Sequence, residues 1–109
     1  MNNACFVKCA NANINIGDES AFGWNCSIQN SDGHKILVNG EEIPNSGDIN
    51  IGKHCWICSE ASILKNAYLG DDCVLAYKSI LTKKISEENG CLYVGSPAKI
   101  VKKNINWKA

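Results

Sequence analysis

The chain has two histidines, and one of them, His34, follows the polar run Ser31-Asp32-Gly33 where a regular aliphatic pattern gives way to a loop. Neutral imidazole titrates near physiological pH, so a histidine held against a hydroxyl can take its proton as that oxygen attacks. Asp32 could orient such a ring, although with Gly33 beside it the simpler role is to make the turn. On residue type alone a loop histidine is more often a solvated side chain than a base, and its surroundings have to decide. His54 falls in a corner of the aliphatic pattern and is expected at the surface.

Cys55 and Cys58 form a Cys-x-x-Cys beside His54, a spacing used in zinc and redox sites. No second cysteine pair has matching spacing, and the pattern described below accounts for Cys55 as packing, so no metal is expected. Charge is unevenly placed. The net charge is zero, yet Lys83, Lys84, Lys99, Lys102, Lys103 and Lys108 crowd the C-terminal end against Glu87 and Glu88. With no arginine and no aromatic residues interleaved, that patch suits a small polyphosphate better than DNA or RNA.

These groups have to be positioned by an unusual repeat. Ile51, Ile57, Ile63, Leu69, Leu75 and Leu81 recur at every sixth position, a period that belongs neither to a helix nor to an ordinary strand. Four residues after each rung the side chain is small, in the order Cys55, Ala61, Ala67, Cys73 and Ser79. The phase returns upstream at Ile16, Phe22 and Ile28, with Ser20 and Cys26 in the small place, and more weakly at Ala4 and Ala10. Three hexads make one triangular coil of about 18 residues; a single coil buries almost nothing, and stacking of neighbours supplies the core.

The expectation is therefore an all-β solenoid, a parallel β-helix, in a single domain over residues 1–109. Its parts are a weak coil at 1–15, a coil at 16–33, an inserted loop at 34–50, coils at 51–86, and a C-terminal crossing and short helix at 87–109. In the loop, Asn39-Gly40 between Ile36-Leu37-Val38 and Glu41-Glu42-Ile43 predicts a hairpin, and a long ordered loop in a small domain is usually functional. Ser96-Pro97 reads as an N-cap and first helical position, with Ile100, Val101, Ile105 and Trp107 along one side. Seven cysteines, three of them at inward small positions, suit a reducing compartment. With no apolar run of membrane-spanning length and no signal-peptide pattern, the expected location is cytoplasmic, with no membrane partner.

Three segments, Ser31-Asp32-Gly33-His34, Ile51-Gly52-Lys53-His54-Cys55-Trp56-Ile57 and Gly95-Ser96-Pro97-Ala98-Lys99-Ile100, carry a likeness to a known family. Together with the repeat, over residues 14–107, they resemble the left-handed parallel β-helix acyltransferases of the hexapeptide-repeat family, and within it the sugar and polysaccharide O-acetyltransferases. The resemblance implies direct transfer of an acetyl group from acetyl-CoA to a sugar hydroxyl, with no acyl-enzyme and no metal. It implies His34 as the catalytic base, Asp32 and Trp56 beside the acceptor, and Ser79, Lys83 and Lys99 along the cofactor. It also implies a homotrimer with sites between neighbouring columns, an assembly that would cover the outward Trp24, Trp56 and Tyr77. Tyr77 stands where relatives commonly carry glycine, which would narrow or re-route the cofactor groove. Relatives usually have further coils before the point at which this sequence starts. The chain is therefore expected to be short at its N-terminus, either naturally minimal or truncated, with only Asn2 or Asn3 placed for an acceptor contact from a preceding coil, able to bind CoA but with weak or absent transfer on its own. The competing function is a non-catalytic β-helix scaffold or assembly module, which CoA would not stabilise.

Overall fold

Coil strands of two or three residues, separated by four-residue corners, stack in parallel into three sheets, one of which is extended by the longer hairpin of Leu92–Gly95 and Ala98–Lys102. The computed structural model describes residues 5–7, as backbone, and 11–109. One sheet stacks β1 (Cys5–Val7), β4 (Ser27–Gln29), β9 (Ser62–Ile63) and β12 (Ile80–Leu81). A second stacks β2 (Ile14–Ile16), β7 (Ile49–Ile51) and β10 (Tyr68–Leu69). The third holds β3 (Ala21–Phe22), β8 (Trp56–Ile57), β11 (Val74–Leu75), β13 (Leu92–Gly95) and β14 (Ala98–Lys102). The result is a column with principal extents of 47 × 26 × 21 Å.

The register turns the six-residue period into a core. Ile16, Ile51 and Leu69 stand one above another on one face, Ile28, Ile63 and Leu81 on the next, and Phe22, Ile57, Leu75 and Tyr93 on the third. The rungs from Ile51 to Leu81 are buried, and so are Cys55, Ala61, Ala67, Cys73 and Ser79 between them. A triangular bore has room for one large side chain per hexad, so the second inward residue must be small. Each buried aliphatic contributes about 1.5–3 kcal/mol by leaving water. Cys91 and Tyr93 keep the phase after Leu81, where the sequence reading ends the ladder, and both are fully buried.

The corners have their own chemistry. Glu19, Asn25, His54, Glu60, Asn66, Asp72 and Lys78, each three residues after a rung, all have positive φ. Asn and Asp tolerate that left-handed conformation better than other residues with a side chain, and here they share it with Glu19, His54, Glu60 and Lys78. One residue after the stacked rungs Ile16, Ile51 and Leu69 the backbones of adjacent coils nearly touch: a Cβ on Gly17 would lie 2.6 Å from the Gly52 carbonyl carbon, so only glycine fits there.

Between β2 and β7 the register jumps by 35 residues, against 18 between β7 and β10. The excess is an arm that leaves the column after Asn30 and carries the antiparallel hairpin of β5 (Ile36–Val38) and β6 (Glu41–Ile43). Its base is tied by an antiparallel bridge between Ser31 and Ser46, by the Asp32 N–H to the Asn45 carbonyl at 2.7 Å, and by the Gly47 N–H to the Asn30 carbonyl at 3.0 Å.

Two expectations at the chain ends need correction or a boundary. The C-terminal helix is absent: the described residues contain no helix, and Ala98–Lys102 is a strand running antiparallel to Leu92–Gly95, with Ser96-Pro97 as a two-residue turn. The reason is tertiary. β13 already pairs with β11, its other edge offers unpaired backbone groups, and Ala98, Lys99 and Ile100 alternate buried and less buried as a strand's residues do. At the other end the phase itself shifts, because β1 sets Phe6 opposite Ile28, four positions off the 18-residue repeat. Ala4, Ala10, Asn2 and Asn3 lie outside the described residues. Among the described residues no helix is long and apolar enough to cross a membrane.

Candidate active site

His34 sits on the arm just past its tied base, exposed, with its carbonyl accepting from Asn45 Nδ2 at 3.2 Å and its imidazole making no hydrogen bond to another described residue. Asp32 does not orient that ring. Its carboxylate is engaged by Lys65 Nζ at 2.6 Å, an ion pair that ties the arm to a corner of the next coil. The turn between them is made by Ser31, whose Oγ accepts the Gly33 N–H at 3.0 Å, with Gly33 at positive φ. Beyond His34 the arm exposes Ile36, Leu37, Val38 and Ile43, an apolar surface with nothing beneath it in the single chain.

Trp56 lies on a different face of the column, outward on β8 and exposed. It lines a groove of ≈ 360 Å³ together with Ala21, Trp107, Lys108 and Ala109. No residue of the arm lines that groove, so the structure does not bring His34 and Trp56 together within one chain. Trp107 is fixed by His54, which is not a free surface residue. The indole N–H donates to the His54 carbonyl at 2.7 Å, and the indole stacks on the imidazole at 4.2 Å and 8°. The imidazole Nδ1 in turn meets Asp72 Oδ1 at 2.9 Å. Sequence reasoning missed this cluster, yet a signal was there: Asp72 follows His54 by 18 residues, one coil, which puts both at the same corner.

The basic end is divided. Lys84 pairs with Glu87 and Lys103 with Glu88, whereas Lys83 and Lys99 are exposed and have no acidic partner among the described residues. Lys99 rides on β14, the outermost strand of its sheet. Ser79 is buried, and its Oγ accepts the Gly95 N–H at 2.9 Å, so its side chain faces the hairpin and not a solvent groove. Tyr77 stands out from the column and donates to Glu60 Oε2 at 3.2 Å.

The Cys-x-x-Cys does not converge on His54. Cys55 is buried in the bore and its thiol reaches the Gly70 carbonyl at 3.0 Å. Burial raises its pKa to about 12, and it also raises those of Cys26, Cys58, Cys73 and Cys91. Among the described residues no cluster of three or more His, Cys, Asp or Glu side chains could hold a metal ion.

No protein-family model matches the chain. It is 37% identical to the polysialic acid O-acetyltransferase of Neisseria meningitidis over 109 residues, 98% of this chain and 50% of that protein. Among solved structures it superimposes on the polySia-specific acetyltransferase NeuO with a TM-score of 0.91 and 31% identity, covering 99% of this chain and 50% of that one. It also superimposes on a hexapeptide-repeat acetyltransferase of Vibrio cholerae, solved with acetyl coenzyme A. There the TM-score is 0.76 at 22% identity, covering 93% of this chain and 54% of that one; at that identity the likeness bears on the fold alone. The chain spans about half the length of each of these proteins.

Proposed function

The chain belongs to the hexapeptide-repeat acyltransferase family, and from that premise we propose that it works as an acetyl-CoA-dependent O-acetyltransferase on a saccharide hydroxyl, with His34 as the general base. The observation that carries this is the state of His34: an imidazole with no hydrogen-bond partner among the described residues, exposed on an arm whose base is pinned by Asp32–Lys65 and by the Ser31–Ser46 bridge. A base must meet its substrate with a free ring nitrogen and a fixed backbone, and this one has both. Similarity over 98% of the chain to a polysialic acid O-acetyltransferase supports a polymeric or oligomeric sugar as acceptor.

The reaction balances without a covalent enzyme intermediate. His34 removes the hydroxyl proton as the sugar oxygen attacks the thioester carbonyl. Collapse of the tetrahedral adduct breaks the C–S bond, and the imidazolium returns its proton to the departing CoA sulfur. For the donor, Lys83 and Lys99 would meet phosphates, and the free edge of β14 offers backbone groups to an extended pantetheine arm. Ser79 serves indirectly, by holding the hairpin that carries Lys99.

His34 and Trp56 occupy different faces, so a site that uses both takes them from two copies. A threefold ring of columns would bring each arm to a neighbour's Trp56 face and cover the exposed Ile36, Leu37, Val38 and Ile43, with no contact left open. The five described free cysteines, all buried or half-buried, fit work in the reducing cytoplasm. The test is thiol release from acetyl-CoA in the presence of sugar acceptors, with thermal stabilisation by CoA as the companion measurement. A chain that CoA does not stabilise and that releases no thiol would be a scaffold instead.

A further inference from the structure

Residues 103–109, after β14, belong to no sheet. We propose that they form a strap, fixed at Ile105 and latched at Trp107, which covers the outer row of the third sheet and must lift before that row can serve transfer. What the row does rests on the function proposed above; the latch itself does not. By register the row runs Ala21, Trp56, Val74, Leu92 and is apolar, where the matching rows of the other two sheets begin Asn15, Asn50 and Ser27, Ser62. Val74 alternates with the inward Leu75 and so points outward, yet it is only 6% exposed. Its cover is the segment pinned at the levels above and below it, at Gly90 and at His54.

The two pins differ in kind. At Ile105 backbone meets backbone: its N–H donates to the Gly90 carbonyl at 2.9 Å, and a Cβ on Gly90 would lie 2.9 Å from the Ile105 carbonyl oxygen. Asn104, at positive φ, turns the chain out of β14 to reach that pin. Beyond Ile105 the strap makes one hydrogen bond to the column among the described residues, from the Trp107 indole to the His54 carbonyl, with the indole face resting on the imidazole. Residues 106, 108 and 109 are exposed. The corner that receives the latch is rigid, since the His54 N–H is held by the Asp18 carbonyl at 2.8 Å and its ring by Asp72. One hydrogen bond and one ring stack favour the closed strap by about tenfold.

Closed, the strap occupies the face. Trp107 stands 5.8 Å from Trp56 at 39°, and three of the five residues lining the groove, Trp107, Lys108 and Ala109, are the strap's own. The groove's ≈ 360 Å³ is near the bottom of the range for small-ligand sites, about 300–1,000 Å³, and leaves no room for a glycan chain together with a neighbour's arm. The open fraction of the strap then scales the apparent affinity for the acceptor.

The experiment follows two readouts in the full chain: hydrogen exchange at the Trp107 indole N–H, and the acceptor KM with acetyl-CoA and a sialic acid oligomer. In the wild type the Trp107 indole should exchange about tenfold more slowly than those of Trp24 and Trp56. His54→Asn suits the positive φ of that corner and removes the stack while keeping the carbonyl. It should speed Trp107 exchange and lower the acceptor KM by up to about tenfold, with kcat and CoA affinity retained. Asp72→Asn, at another corner of positive φ, should do the same in part, and Trp107→Ala should lower KM at least as far as His54→Asn.

An unprotected Trp107 indole in the wild type would overturn the strap. So would a KM that rises in these variants, since Trp107 would then be a wall of the site, or a KM that stays constant while exchange is released. A Trp107→Ala chain that loses CoA binding has lost its column, and Asp72→Asn then decides: faster exchange with lower KM upholds the gate, and either one alone overturns it. No thiol release from any variant, with the graded exchange intact, would strike the proposed reaction and leave the latch standing; glycan titration then reads the gate in place of KM, tighter binding in the released variants upholding it and unchanged binding overturning it.

Discussion

The Gly95 N–H donates to Ser79 Oγ at 2.9 Å inside the column, and this one bond ties the β13–β14 hairpin to the corner beneath it. Ser79→Ala removes the acceptor and leaves a partly buried N–H unpaired, at a cost of about 1–3 kcal/mol. Because the hairpin carries Lys99, CoA affinity should fall in Ser79→Ala even though the hydroxyl touches no cofactor. Denaturation and CoA titration on the same protein check it: a loss of affinity with no loss of stability would mean that Ser79 contacts the cofactor directly.

Charge reversal at Lys83 and Lys99 probes the phosphates. Both ammoniums are exposed, and exposed charge pairs contribute little singly, so the double variant is the informative one. It should weaken CoA more than dephospho-CoA, and raised salt should shrink the difference. Equal losses for the two ligands would separate these lysines from the 3′-phosphate.

His34→Ala should slow acetyl transfer by about two to four orders of magnitude, the range for a lost general base, with CoA binding unchanged. Steady-state rates with a sialic acid oligomer as acceptor are the measurement. A variant as active as the parent would remove His34 from the mechanism.

The arm makes the assembly testable. Leu37→Asp with Val38→Asp places two carboxylates on an apolar surface that the column does not cover. If the arms close a trimer, light scattering should report three times the 11.9 kDa chain for the parent and the single mass for the variant. Activity should vanish with the trimer, since the proposed site would take His34 and Trp56 from different copies. A parent that is monomeric at micromolar concentration would dismiss any site built between chains.

Much of this architecture is legible in the sequence because one physical rule, a bore wide enough for one large and one small side chain per hexad, writes itself into every sixth residue from Ile51 to Leu81. The rule runs further than the ladder as first read, since Cys91 and Tyr93 keep its phase across a polar crossing. The hairpin is not legible as one because Ser96-Pro97 is equally good chemistry for a helix start and a two-residue turn, and only the waiting edge of β13 decides between them. His54 and Asp72 are one coil apart in sequence, but their meeting also needed Trp107, which reaches them through a tail with no periodicity to announce its path. His34 is conspicuous by its place before an insertion; that Asp32 serves Lys65 and not His34 depends on a corner of another coil.

The buried thiols predict how stability responds to alkali. A cysteine with an ordinary pKa near 9 ionises freely once unfolded, whereas burial holds Cys55 protonated up to about 12 in the column. Between those values the unfolded chain has released a proton that the folded chain keeps, so ionisation favours unfolding. Stability should be independent of Cys55 below pH 9 and then fall by about 1.4 kcal/mol per pH unit for this site alone. Cys26, Cys73 and Cys91, shifted upward by the same burial, add slopes of the same sign. Denaturation midpoints from pH 8 to 11 measure the slope. Cys55→Ala should flatten it, and it should also lower stability at neutral pH, because an alanine leaves a gap where the sulfur packs against the Gly70 carbonyl. A slope identical in Cys55→Ala would show that some other group governs the alkaline transition.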